Sequence, residues 1–203
     1  MLQNIKERCE ILSKNFKEIN PERKALLEKL AAHIQGKINE NEEINLVYVC
    51  THNSRRSHLG QVWGKVAADF YGFKINTFSS GTEATAFNQN AINTLICAGF
   101  DVKKLHENEN PKYEVIFGEG KSNLCFSKTI DNESLPKENF AAVMTCGDAD
   151  ENCPFIPGCD LRIRTTYFDP KSYDNSVLKD EKYIERSNQI AMECLYVFSL
   201  IKK

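Results

Sequence analysis

Apolar residues recur along this chain in two rhythms, and the rhythm changes near residue 44. Ile5, Cys9, Leu12, Phe16 and Ile19 fall three and four apart, one face of a helix. Asn20-Pro21 breaks that stripe and starts a second helix, with Asn20 as N-cap and Pro21 in the first turn. Leu26, Leu27, Leu30, Ala31 and Ile34 form its apolar face, and Gly36 is the expected stop. The polar run Asn39-Glu40-Asn41-Glu42-Glu43 reads as a linker. From 44 to 50 the chain is nearly all apolar, the mark of a buried strand. Residues 51–57 are polar. A helix is expected over 58–71, with Leu59, Val62, Trp63, Val66, Ala67 and Phe70 inward. A second strand over 74–80 ends at Gly81, and a helix over 91–98 ends at Gly99. The runs 113–117 and 124–127 flank Gly118-Glu119-Gly120, which suggests a β-hairpin. Two more strands, over 140–145 and 161–168, precede a closing helix over 183–201. Strands alternating with helices predict an α/β fold: a small, mostly parallel four-stranded sheet flanked by helices. Residues 1–43 are then an N-terminal helical extension to an α/β domain spanning 44–203.

Composition narrows the class. A chain of 203 residues, 41% hydrophobic and 27% charged, suits one globular domain. A net charge of −2 offers no basic footprint for nucleic acid. The longest apolar stretch, 194–201, is interrupted by Ser199 and too short to span a membrane. The first eight residues lack the apolar core of a signal peptide, so a cytoplasmic location with reduced thiols is expected. This matters because the chain has eight cysteines, at 9, 50, 97, 125, 146, 153, 159 and 194. Cys9, Cys97, Cys125 and Cys194 fall in apolar patterns and read as core residues. Cys159 stays open.

The segment Cys50-Thr51-His52-Asn53-Ser54-Arg55-Arg56-Ser57 lies between a buried strand and a helix. Successive amides of such a loop, with a helix N-terminus behind them, form an anion cradle. Thr51, His52, Asn53, Ser54, Arg55 and Arg56 are its anion-binding candidates. Arg56 can clamp a tetrahedral oxyanion with two parallel hydrogen bonds. The same positive field favours Cys50 as a thiolate nucleophile, and Ser57 can donate to its sulfur.

Two further segments follow strand ends. Cys146 and Cys153 bracket a polar run, seven residues apart. They can bridge only if the backbone bends, since disulfide Cα atoms must approach within about 7 Å. A conditional disulfide, two structural thiols, a metal set with Cys159, and a plain solvated loop all fit this run. Tyr167-Phe168-Asp169-Pro170 ends the last strand. Asp169 there can protonate a leaving oxygen, or simply form an Asp-Pro turn.

Together these motifs resemble the low-molecular-weight protein tyrosine phosphatase family, and specifically its thioredoxin-coupled arsenate reductase branch. The resemblance runs over about 46–104 and 140–201, through Gln61-Val62-Trp63-Gly64-Lys65, Phe78-Ser79-Ser80-Gly81-Thr82-Glu83 and Asn88-Gln89-Asn90-Ala91-Ile92 as well. The segment about 105–139, holding the hairpin, is an insertion outside it. The resemblance implies that Cys50 attacks arsenate held by the loop and Arg56, while Asp169 protonates the leaving oxygen. Cys146 then attacks Cys50, Cys153 attacks Cys146, and thioredoxin reduces the resulting disulfide. No metal or other cofactor is implied. Three departures stand out: His52 replaces the usual glycine, Arg55 the usual cysteine, and Gln61 a potassium-binding glutamate. His52 is expected to strain the backbone, Arg55 to add a second charge near the anion, and Gln61 to remove potassium. The phosphatase chemistry needs only Cys50, Arg56 and Asp169, so hydrolysis of a phosphomonoester through a phosphocysteine is the alternative. A non-catalytic anion-binding or thiol-sensing module is the third.

Overall fold

The computed structural model describes residues 1–152 and 155–203. The N-terminal stripe folds as α1 (Gln3–Ser13) and a short 3-10 helix at Phe16–Glu18. α2 (Pro21–Asn39) starts where expected, with the Asn20 side-chain oxygen accepting the Arg23 amide at 2.7 Å. It does not stop at Gly36. The left-handed residue that ends it is Asn41, at φ 56°, and until then the helical ladder continues unbroken.

The main sheet holds β1 (Asn45–Cys50), β2 (Asn76–Gly81), β6 (Phe140–Met144) and β7 (Cys159–Arg164). Their order is β2-β1-β6-β7, and every pairing is parallel. Parallel strands must be joined by crossovers, which α3 (Arg56–Tyr71) supplies between β1 and β2. α4 (Gln89–Cys97) follows β2, and α6 (Lys179–Ser199) closes the chain, starting one turn earlier than its pattern suggests. The last strand is shorter than 161–168. β6 ends at Met144, so beyond Arg164 the chain only brushes its extension: the Thr165 and Tyr167 amides reach the Met144 and Thr145 carbonyls at 3.0 Å.

Alternation along β1 splits the core. Leu46 and Tyr48 face a large cluster with α3, α6 and the N-terminal helices, in which Ile5, Leu27, Ile34, Trp63 and Leu195 are buried. Val47 and Val49 face a smaller cluster with Ala142, Met144, Cys146, Ala149, Leu135 and Ile156, which Cys50 joins at the strand's end. The N-terminal helices thus share the main core. The hairpin expected near 113–127 is β4 (Tyr113–Gly118) and β5 (Lys121–Cys125), turning through Gly120 at φ 62°. A strand the pattern misses, β3 (Asp101–Lys104), makes it a three-stranded antiparallel sheet, β3-β4-β5. Asp101, Lys103 and Lys104 are exposed and polar, so no apolar rhythm betrays the strand. Cys97, expected in the core, is exposed: α4 turns Ala91, Ile92 and Leu95 inward and leaves Ile96 and Cys97 outside.

Candidate active site

The C-terminal ends of β1 and β6 lie side by side, because those strands pair in parallel. Ligand sites of such sheets form at that edge. Cys50 ends β1, and α3 begins six residues on at Arg56. Between them the chain is held by its side chains and carbonyls. Ser54 donates to the Ala86 carbonyl at 2.8 Å, and the Thr51 and His52 carbonyls accept from Thr82, Glu83, Thr85 and Ser127. Among the described residues, the amides of residues 52–55 donate to no acceptor. Unpaired amides in succession, ahead of a helix N-terminus, are an arrangement that can receive an anion. Gly81 makes the approach of β2 possible: a Cβ there would sit 2.5 Å from the Thr51 carbonyl oxygen and 2.7 Å from the Asn53 nitrogen.

Asn53 is the conformational key of the loop. It alone in this loop has positive φ, 42°, a region asparagine tolerates better than most residues. The strain expected at His52 is therefore absent. His52 instead presents an exposed imidazole, 3.5 Å from the Glu83 carboxylate. The Asn53 oxygen accepts the Lys128 amide at 2.8 Å, so its NH2 group must be the donor to Ser57 Oγ, also at 2.8 Å. Ser57 Oγ lies 3.0 Å from Cys50 Sγ. Accepting from Asn53 leaves the Ser57 hydroxyl proton free to be given to the sulfur.

Arg56 is buried, with one nitrogen on the Tyr167 carbonyl at 2.8 Å and another on Asp169 Oδ2 at 2.5 Å. The other Asp169 oxygen accepts the Lys171 amide at 3.0 Å. Asp169 therefore shapes the Asp-Pro turn and, with its other oxygen, faces the arginine of the loop. Arg55 behaves differently from its expected part. Its guanidinium binds Tyr183 Oη at 2.7 Å and the Asp174 carboxylate at 3.1 Å, so its charge is neutralised and ties the loop to α6. Asp174 and Tyr183 carry no local sequence signal for this role.

Cys146 follows β6 and is buried with Cys50 in the smaller cluster. Its sulfur lies 3.3 Å from Thr51 Oγ1 and accepts the Ala149 amide at 3.4 Å. α5 (Gly147–Asn152) leads away from it. Asp150 pins this segment to β7 through Arg162 and Arg164, at 2.7 and 2.9 Å. Cys153 lies outside the described residues.

Beneath the loop, polar groups satisfy one another. Ser79 donates to Gln61 Oε1 at 2.7 Å and lies 3.0 Å from His58 Nδ1. Burial, with the Lys128 charge adding to it, holds His58 well below its usual range and so neutral. A second network reaches the site from the N-terminal helices. Arg23 donates to the Thr166 carbonyl at 2.6 Å and lies 3.6 Å from buried Glu193, which accepts Tyr167 Oη at 2.8 Å. Burial raises the Glu193 carboxyl above its ordinary range.

No protein-family model matches the chain. Among curated proteins it is 28% identical to arsenate reductase 1 of Bacillus cereus, over 69% of this chain and 86% of the relative. It is 31% identical to arsenate reductase 1 of Staphylococcus saprophyticus, over 55% of this chain and 67% of the relative. Two solved structures share the fold. An arsenate reductase in the phosphate-binding state matches with TM-score 0.52 and 16% identity, over 79% of this chain and 100% of its own. A low-molecular-weight phosphotyrosine phosphatase of Vibrio cholerae O395 matches with TM-score 0.51 and 14% identity, over 76% and 94%.

Proposed function

The chain belongs to the arsenate reductase family built on the low-molecular-weight protein tyrosine phosphatase fold, and from that premise we propose that it reduces arsenate by a cysteine relay. The observation that carries the reading is the placement of two buried thiols at adjacent strand ends: Cys50 under a loop of unpaired amides, and Cys146 against Thr51 of that loop. A hydrolase needs only the first.

In this reading arsenate sits on the loop amides and Arg56, and displaces Asp169 from the guanidinium. The Cys50 thiolate attacks arsenic; an As–S bond forms and an As–O bond breaks. Asp169 supplies the proton with which that oxygen leaves as water. The Cys146 thiolate then attacks Cys50 Sγ. A disulfide forms, and the As–S electron pair returns to arsenic, which leaves as arsenite, reduced from As(V) to As(III). Cys153 attacks Cys146, frees the Cys50 thiolate, and leaves a Cys146–Cys153 disulfide. A thioredoxin dithiol reduces that bond and is itself oxidised. Such a cycle requires a reducing compartment, so the cytoplasm is the proposed location. No helix among the described residues is long and apolar enough to cross a membrane.

Side-by-side assays of thioredoxin-dependent arsenate turnover and aryl phosphate hydrolysis test this. Wild type should turn over arsenate, and Cys146→Ser and Cys153→Ser should each lose that turnover at least a hundredfold. Normal arsenate turnover in both variants overturns the relay. Inert arsenate with undiminished hydrolysis in all three proteins assigns the site to the phosphatase alternative, in which water resolves a Cys50 phosphocysteine.

A further inference from the structure

β2 is one edge of the main sheet and β5 one edge of the smaller one. Between these edges lies a cleft of about 250 Å³. Gln61 and Lys65 of α3, Thr77 of β2, Asn123 of β5 and Lys128 line it. Cys50, Arg56, Cys146 and Asp169 do not. Its lining holds two cations and no carboxylate.

The donors in this cleft are underused. An ammonium has three N–H groups. Lys65 gives one to the Ile75 carbonyl. Lys128, 4% exposed, gives one to the Phe126 carbonyl at 3.2 Å and rests 4.2 Å over the Phe126 ring. Among the described residues, neither lysine has a carboxylate within ion-pair distance. Asn123, 6% exposed, accepts the Thr77 hydroxyl at 3.4 Å with its oxygen, while its NH2 group has no partner. A buried donor left unsatisfied and a buried cation without a counter-charge are both costly. One bound anion relieves both.

We propose that this cleft is a second anion site, distinct from the catalytic loop, that takes a tetrahedral dianion: free phosphate or the phosphoryl group of a small ester. Two ammonium groups match a dianion, and the volume falls just below that of pockets for drug-sized ligands. Burial holds the Lys128 ammonium down at about 8, and an incoming dianion restores the stabilisation that water no longer gives it. The site also touches the catalytic loop through the chain. The Lys128 amide holds Asn53, and Gln61 joins the Leu124 carbonyl, at 3.1 Å, to Ser79. An anion drawn onto Lys128 therefore fixes the segment that fixes Asn53.

The test is an NMR titration of the full 15N-labelled chain with inorganic phosphate, and in parallel with glycerol 2-phosphate. Two sets of signals should shift with separate midpoints: the amides of 52–57, and the Asn123 side-chain amide with the amides of 124–128. In Arg56→Met the second set should still respond. In Lys65→Met, a volume-conserving change on a half-buried helix position, its midpoint should rise at least tenfold. A second set that moves only with the first, or vanishes in Arg56→Met, overturns the proposal. So does a midpoint unchanged in Lys65→Met. Response to phosphate alone marks a free-ion site, and tighter response to the ester marks a metabolite site. The wild-type titration needs no variant to fold, and its second set is independent of whether the loop reduces arsenate.

Discussion

Asn53 and Lys128 show how much single residues decide here. The left-handed Asn53 turns three separate groups, Cys50, Ser57 and the Lys128 amide, into one chain of hydrogen bonds. Lys128 makes a stability prediction with a definite sign. Its folded value near 8 lies below the ordinary 10.5 of an unfolded lysine. Between those values the unfolded chain binds more protons, so wild-type stability should rise with pH across that window. Below pH 8 the burial costs up to about 3 kcal/mol. Lys128→Met should therefore be more stable than wild type at pH 7, by urea unfolding, and lose most of that advantage by pH 10. An equal difference at both pH values would show that Lys128 keeps its charge without penalty.

At the scale of elements, the patterns named most of the pieces and misjudged several of their ends. α2 overran Gly36 because a lone glycine costs a helix interior only about 1 kcal/mol, while the left-handed turn came at Asn41. β3 was illegible because an exposed edge strand carries no apolar rhythm. The N-terminal helices were legible as helices but silent about their packing. Ile5 is fully buried against the main core, and the Leu2 amide donates to Phe117 of β4 at 2.7 Å. Ile5→Ala should cost about 2–5 kcal/mol. Differential scanning calorimetry should show a single transition moved to lower temperature. A separate low-temperature transition would mean that the extension melts on its own.

Across the whole molecule, the N-terminal helices reach the site through one continuous path: Arg23, Glu193, Tyr167, then the Tyr167 carbonyl on Arg56. Glu193→Ala leaves the Arg23 charge and the Tyr167 hydroxyl without their buried partner. Such a loss costs about 3–5 kcal/mol when a buried pair is broken. The expected result is a lower unfolding midpoint and a fall in kcat of about tenfold or more, because Tyr167 and Asp169 sit on the same turn. Glu193→Gln, which keeps an acceptor for Tyr167, should recover most of kcat. If Glu193→Ala lowers stability and leaves kcat intact, the path is structural only.

The sequence by itself determined what is local. Buried strands, helix faces, the Asn20 cap and the loop from Cys50 to Ser57 each announce themselves through neighbours in the chain, since periodicity and turn chemistry act over a few residues. What required the tertiary structure is every relation between distant residues. Arg55 was expected beside the anion and is neutralised by Asp174, 119 residues away. His52 was expected to carry the strain that Asn53 carries. Cys146 meets Thr51 across 95 residues because β1 and β6 are parallel neighbours. The cleft around Lys128 exists only because two sheet edges stop short of each other. Electrostatics and packing decide these matters by distance in space, which the order of residues does not record.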